Sequence, residues 1–293
     1  MTAPSTIAPP AELAIVIVNF NTRDYLERCL ASLEAHRGEI AIDVLVIDNA
    51  SHDGSHTAAA AAHPWARLIE NPVNVFLSPA WNQGIQATDA PYVLLLNPDT
   101  EWWKGTLADY VAVARANPRA GIVGPMVRNT DGSVYSSGRP LPSVVDALGH
   151  GFLGPFVPGN PFTRRYHMQG WDRLTERQVD WVSGCCMLFP RKAFDEVGLL
   201  DESFLLYGEE LDIATRLHDA GWDVLFTPEV EILHELGVST GRSHRMTLMH
   251  STSIFRYYRI HRAAGWRKLT LPFAWMALRI RGELAWLRWR VAG

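Results

Sequence analysis

Leu13-Ala14-Ile15-Val16-Ile17-Val18-Asn19-Phe20-Asn21 is the stretch that decides the fold. Six apolar residues in a row, with no polar alternation, read as a strand buried on both faces. Asn19–Asn21 break it, and Leu26, Cys29, Leu30 and Leu33 follow at helical spacing. The unit recurs. Ile42–Ile47 is a second strand, stopped by Asp48-Asn49-Ala50-Ser51, and the run Ala58–Ala62 is strong helix. Arg67–Glu70 reads as a third strand, and Asn82–Thr88 continues a helix that ends before Pro91. Tyr92–Leu96 is a fourth strand closed by Asn97-Pro98-Asp99, and Ile122–Pro125 a fifth. Such alternation predicts an α/β fold with a mostly parallel sheet, right-handed crossovers and flanking helices. Ligands of such sheets bind outside the carboxyl ends of the strands. The clusters Asn19–Asn21, Asp48-Asn49 and Asn97–Asp99 each follow a strand end, so all three converge on one crevice. Residues 127–180, rich in Gly, Pro and Arg, read as loops and short strands over it. Cys186–Phe189 is a further strand, Asp212–Ala220 a helix ended by Gly221, and Glu229–Leu233 a strand.

The chain has 293 residues, 47% hydrophobic and 20% charged, which suits a folded protein and excludes a disordered one. Three cysteines cannot build a disulfide framework, so a reducing, cytoplasmic compartment is expected. No run of 18 apolar residues exists to span a bilayer. Residues 1–11 have no basic segment or long apolar core and read as a disordered leader rather than a secretory signal. The charge is split: residues 242–293 hold 11 Lys+Arg against one acid, Glu283, a balance of +10, whereas the whole chain is −4. An acidic body with a basic tail calls for a surface partner at the tail.

Each polar cluster has two readings. Asp48 shapes a turn or accepts an N–H from a ligand ring. Asp99 closes a turn or supplies an oxygen ligand to Mg²⁺ or Mn²⁺. Tyr207-Gly208-Glu209-Glu210-Leu211-Asp212 opens a helix, where first-turn acids suit the helix dipole. The three acids point in different directions, so one can face a cleft as general base while another pairs with Arg216. His234 is a structural histidine or a metal ligand. Trp181-Val182-Ser183-Gly184 suits sugar stacking or plain packing. No Walker loop, GxGxxG, GxSxG or HExxH occurs, and Cys185-Cys186 has no CxxC partner for zinc.

Together and in this order, these clusters resemble the inverting nucleotide-sugar glycosyltransferases of family 2, with the GT-A fold, and within them the bacterial rhamnosyltransferase-like branch. The resemblance covers about residues 12–260. Ile17-Val18-Asn19-Phe20-Asn21 is similar to the family's first strand, and Val46–Ser55 to its second, where the Asp contacts the nucleobase. Leu95–Asp99 looks like its variant of the metal-binding DxD. Asp201–Asp212 with Arg216-Leu217 looks like the segment of the catalytic base, and His234–Ser239 like its HxxGxS.

The resemblance implies a domain over 12–241, with a nucleotide half (12–125) and an acceptor half (126–241). It implies Val18, Asn19, Asn21, Asp48, Asn49, Asn82 and Asn97 at the donor nucleotide, and Asp99 and His234 at a Mg²⁺ or Mn²⁺ ion. Glu210, or Glu209, is the implied base, and Trp181, Ser183, Gly184 and Asp212 lie at the acceptor sugar. The implied reaction is inverting transfer from a nucleoside-diphosphate sugar, dTDP-rhamnose first and UDP-sugars next, to a glycan or polyprenyl-linked acceptor of the cell envelope. An inactive sugar-nucleotide-binding scaffold of the same fold is the second reading. Two positions depart from the family: Asn74-Val75-Phe76-Leu77 lacks its glycine, and Glu209-Glu210 stands for Glu-Asp.

In the tail, Arg256 to Lys268 precede the apolar run Leu269–Leu278, Arg279 to Arg290 follow, and Trp266, Trp275, Trp286 and Trp289 are interleaved. A basic amphipathic helix with tryptophans suits peripheral attachment to the inner face of the plasma membrane. Helices packed on the domain, or a homodimer surface, are the alternatives. Nucleic acid is not expected, because the acidic body repels phosphate and no recognition motif occurs.

Overall fold

The computed structural model describes residues 10–141, 143, 149–150, 153–154, 157, 159–235 and 243–292. Most of the leader (1–9) and the Leu236–Ser239 part of the HxxGxS motif lie outside the described residues. The first half follows the sequence pattern. β1 (Leu13–Asn19), β2 (Ile42–Asp48), β3 (Ala66–Glu70) and β4 (Tyr92–Leu96) alternate with α1 (Arg23–Ala35), α2 (Ser55–Ala62) and α3 (Leu77–Gln86). All four strands are parallel, ordered β3-β2-β1-β4. β1 is buried along its whole length, as an unbroken apolar run requires. Leu26, Cys29, Leu30 and Leu33 are the buried stripe of α1. Helix α3 crosses β1 through Gly84, where a Cβ would come within 2.2 Å of Val16 Cγ1.

The second half departs from a parallel sheet. After β5 (Thr100–Lys104), α4 (Leu107–Ala116) and β6 (Ala120–Arg128) come short strands β7 (Val134–Tyr135), β8 (Gly138–Arg139), β9 (Arg177–Val179) and β10 (Trp181–Val182), with helix α5 (Pro161–Tyr166) among them. β11 (Cys186–Pro190), α6 (Arg191–Val197), α7 (Glu209–Asp219) and β12 (Asp223–His234) complete the domain. β11 runs antiparallel between β4 and β6, and β5 runs antiparallel on β12, so the ten-stranded sheet is mixed. β5 was not legible: Thr100-Glu101-Trp102-Trp103-Lys104 carries three polar residues in five. β12 starts six residues earlier than its apolar run, because Thr227–Glu229 lie at a register shift. β6 crosses residue 125, so one sheet joins the expected halves.

The tail is helical. α8 (His244–Tyr257) continues through a π-turn, and α9 (Leu271–Ala292) returns along it. Tyr257 is buried, and its hydroxyl lies 3.0 Å from Thr215 Oγ1 of α7. The packed-helix alternative therefore holds for α8. Among the described residues, no helix is long and apolar enough to cross a membrane.

Candidate active site

Register places the clusters at one edge. Asn19, Asp48 and Glu70 end β1, β2 and β3 in adjacent rungs. Leu96 ends β4 opposite Cys186, so Ser183-Gly184-Cys185 meets Asn97–Asp99 there. His234 ends β12 beside Thr100. Here lies a cavity of about 300 Å³ lined by Asn97, Trp181, Ser183, Gly184, Cys185, Glu209, Glu210 and His234, among others. It thus gathers five expected site residues around both glutamates.

The carboxylate pair heads α7. Tyr207 (φ 66°) and Gly208 (φ 87°) are both left-handed, a tight turn that swings the helix start into the cleft. Glu209 is 4% exposed, and its Oε2 has no hydrogen-bond partner among the described residues. Burial, and then the Glu210 charge, push its pKa well above the usual carboxylate range. Burial raises Glu210 too, but the Gly208 N–H (3.1 Å to Oε2) and the Arg139 charge favour its ionised form. Two coupled carboxyls cannot both ionise cheaply, so Glu209 carries the proton and Glu210 the charge. Gly184 lies against them: a Cβ there would stand 3.8 Å from Glu210 Cβ and 3.9 Å from Glu209 Oε1, ordinary contact distances.

Asp99 and His234 meet at 3.3 Å, Oδ1 to Nε2, both buried. Burial works against the imidazolium, but Cys185 and Asp99 outweigh it and raise the His234 pKa to about 11. His234 Nδ1 has no partner among the described residues. A carboxylate oxygen 3.3 Å from an imidazole nitrogen would suit a divalent cation, which would take the place of the ring proton. No group of three or more His, Cys, Asp or Glu is arranged for a metal among the described residues. Two protein ligands leave the remaining positions to phosphate and water, the usual pattern for Mg²⁺.

The expected nucleotide residues are mostly tied to each other. Asn19 Nδ2 donates to Asp48 Oδ1 (2.6 Å) and Ser55 Oγ (2.7 Å), and Asn19 Oδ1 accepts from Thr22 (2.6 Å). Asp48 Oδ2 accepts the Ser51 N–H (2.9 Å). Asn49 donates to Phe76 O and accepts from Asn71. Asn21 is exposed and left-handed (φ 54°), with Oδ1 accepting the His52 N–H. These residues brace the loops at the strand ends. Three others are packed or bonded within the protein. Val18 points into the core, because β1 is buried on both faces. Asn82 clamps α3 to Leu200 and Glu202. Asp212 is absent from the cavity: Arg216 (2.9 Å) and His261 (2.7 Å) occupy its two oxygens, locking the tail to α7.

Phe76 stands where the family's glycine is missing, at φ 69° and ψ −170°. That region is nearly glycine-only and costs about 1–3 kcal/mol for other residues. Hydrogen bonds to Asn74 and Asn49 hold it there. Phe76→Gly is therefore expected to raise stability by about 1 kcal/mol after the glycine entropy loss, as a higher urea midpoint at unchanged slope. A lower midpoint would show that the ring's packing outweighs the strain.

Sequence reasoning missed Tyr135, Arg139, Tyr166, His250 and Ile254, which also line the cavity. The first three come from aperiodic residues 127–180. The last two come from α8 of the tail. The available signal was the Tyr–Arg–Tyr–Trp content before Ser183, which resembles ordinary loop composition.

The fold is that of GT-A-type glycosyltransferases. Similar solved structures include GalNAc-T7 with UDP, GalNAc and Mn²⁺ (TM-score 0.60, 15% identity, 86% of this chain and 48% of that one). Another is the mannosyltransferase PcManGT from Pyrobaculum calidifontis with GDP-Man and Mn²⁺ (TM-score 0.59, 15% identity, 94% and 74%). The chain belongs to glycosyl transferase family 2, whose model matches residues 14–198, and it is a glycosyltransferase. It is 38% identical over 287 residues to the N-acetylglucosaminyl-diphospho-decaprenol L-rhamnosyltransferase of Mycobacterium tuberculosis, covering 93% of this chain and 90% of that one. It is 24% identical over 236 residues to the low-salt glycan biosynthesis hexosyltransferase Agl10 of Haloferax volcanii, covering 79% and 69%.

Proposed function

We infer that this enzyme transfers rhamnose from dTDP-rhamnose, with inversion, to a hydroxyl of an N-acetylglucosaminyl-diphospho-polyprenol acceptor. The observation that carries the chemistry is the Glu209–Glu210 pair lining one cavity with His234, which itself lies 3.3 Å from Asp99. The mycobacterial relative's rhamnosyl transfer to a lipid-linked N-acetylglucosamine supports the donor and acceptor.

Glu210 takes the proton of the acceptor hydroxyl as its oxygen attacks the anomeric carbon from the face opposite the nucleotide. Glu209, neutral, needs no second negative charge beside the base. One displacement inverts the centre, so no nucleophilic carboxylate is required. Asp99 and His234 would hold a Mg²⁺ or Mn²⁺ ion, which would supply charge stabilisation for the leaving nucleoside diphosphate. Trp181, Ser183 and Gly184 line the acceptor side. Asp48 and Asn19 fix the loop under the nucleobase. The test is transfer from dTDP-rhamnose against UDP-sugars, read as nucleoside diphosphate release. UDP-sugar use alone would replace the donor assignment.

The tail is proposed to rest on a membrane surface from the cytoplasmic side, where a polyprenyl acceptor lies. α9 turns an apolar stripe outward: Phe273, Met276, Ile280, Leu284 and Leu287, each about half exposed or more, at spacings of three and four. Exposed Arg267, Lys268, Arg279 and Arg290 accompany it, a combination suited to anionic lipid. Replacing Phe273, Ile280 and Leu284 by Glu is expected to abolish sedimentation with anionic vesicles while the protein stays folded. Unchanged sedimentation, or loss of a dimer instead, would overturn the membrane assignment.

A further inference from the structure

The cavity has a second charged end. Arg139 is 8% exposed, yet no carboxylate lies within ion-pair distance among the described residues. Its guanidinium sits in an aromatic cage, 5.1 Å from the Tyr135 ring, 5.3 Å from Tyr166 and 5.1 Å from Trp181. Nε donates to Ser136 O (2.5 Å), Nη2 to the Tyr135 hydroxyl (2.6 Å) and Nη1 to the Tyr166 hydroxyl (3.4 Å). A guanidinium has five N–H donors, so two remain. Burying an unpaired cation is costly, and a site that keeps one is built for an anion.

A second arginine reaches the same end from the tail. Gly282 of α9 packs so closely on α8 that a Cβ would come 2.8 Å from Ser251 Oγ. Arg281 precedes this contact in sequence, and burial lowers its pKa. Its charge is felt at His250, at Tyr166 and, together with that of Arg139, at His150, which stacks on Tyr166 at 4.9 Å. Arg281 also has no carboxylate partner among the described residues. Both histidines there are held below their ordinary pKa, chiefly by burial, so the end holds two arginine charges against one acid, Glu210, on which the Arg139 charge bears.

This end is not the Asp99–His234 end. Trp181 pairs with Arg139 across the β8–β10 ladder, and four residues on, Cys185 bears on His234. Gly184, against the glutamates, lies between.

We propose that Arg139 and Arg281 form a second diphosphate site, which takes the acceptor's prenyl diphosphate while the Asp99–His234 end takes the donor's. This rests on the lipid-linked acceptor inferred above. It gives the tail a place in the site: Arg281 grips the headgroup from the helix whose outward face carries apolar residues that suit the prenyl chain.

The probes are farnesyl diphosphate and inorganic diphosphate, titrated in EDTA against the full chain and followed by tryptophan fluorescence, since Trp181 lies in the cage. Both are expected to bind without metal, farnesyl diphosphate more tightly. Arg139→Lys and Arg281→Ala should each weaken binding about ten-fold or more, while Asp99→Ala leaves it unchanged. Stabilisation by dTDP with Mn²⁺ should survive in both arginine variants, which shows that they fold. Absence of metal-free binding in the wild type, or loss of it in Asp99→Ala rather than the arginine variants, would overturn the site. Because no transfer is read, a chain using another acceptor sugar would still pass, and one that transfers rhamnose without this site would fail.

Discussion

Glu210→Gln is expected to cut sugar transfer by about 10³-fold while binding of the donor nucleotide changes less than about two-fold. Gln keeps the size and the hydrogen bond from Gly208 N but takes no proton. Because no charge then remains beside Glu209, that residue's pKa falls, and Glu209→Gln becomes the informative companion. It should leave substantial turnover and sharpen the distinction between the two carboxyls. The pH profile follows from the same geometry. The base works ionised, and burial raises its pKa, so activity falls on the acid side at a pH above that of an ordinary glutamate. Arg139→Lys, which keeps the charge, should move this limb little. Retained transfer in Glu210→Gln with loss in Glu209→Gln would hand the base role to Glu209.

Asp99→Ala is expected to lower metal-supported turnover by about 10²-fold or more and to raise the donor KM, since the diphosphate loses its anchor. Binding has its own readout. A ligand at a hundred times its Kd stabilises the folded state by about 2.7 kcal/mol. The wild type should show this with dTDP and Mn²⁺ and much less with dTDP in EDTA. In Asp99→Ala the two conditions should converge. His234→Ala should show the same convergence in weaker form, because the carboxylate remains. A metal requirement unchanged in Asp99→Ala would remove Asp99 from the site.

How much of this was legible in the sequence depends on what dictated each part. β1, β2 and β4 are apolar runs buried on both faces, so composition alone located them. Three polar clusters at their ends converge because parallel strands place all their carboxyl ends on one edge. The reversed strands were not legible, since direction is set by tertiary pairing: Cys186–Pro190 looks the same whichever way it runs. Asp48 and Asn82 illustrate the limit for side chains. Their oxygens are engaged by neighbours 29 and 118 residues away, which no local pattern records. Asp212 is the same case, its partner His261 lying in the tail. Arg139 was invisible because β8 is two residues long and its cage is assembled from three separate segments. The missing glycine at Phe76 was legible as a departure, and the positive φ shows its cost.

The central claim is a metal-supported sugar transfer to a lipid-linked acceptor at the Glu210 cavity. The most direct measurement incubates the full chain with dTDP-rhamnose, Mg²⁺ or Mn²⁺ and N-acetylglucosaminyl-diphospho-polyprenol, and weighs the lipid product by mass spectrometry. One added deoxyhexose, matched by release of dTDP and absent in Glu210→Gln, is the predicted result. An unchanged lipid with every nucleoside-diphosphate sugar offered, from a chain that still binds nucleotide, would contradict it and leave a sugar-nucleotide-binding scaffold.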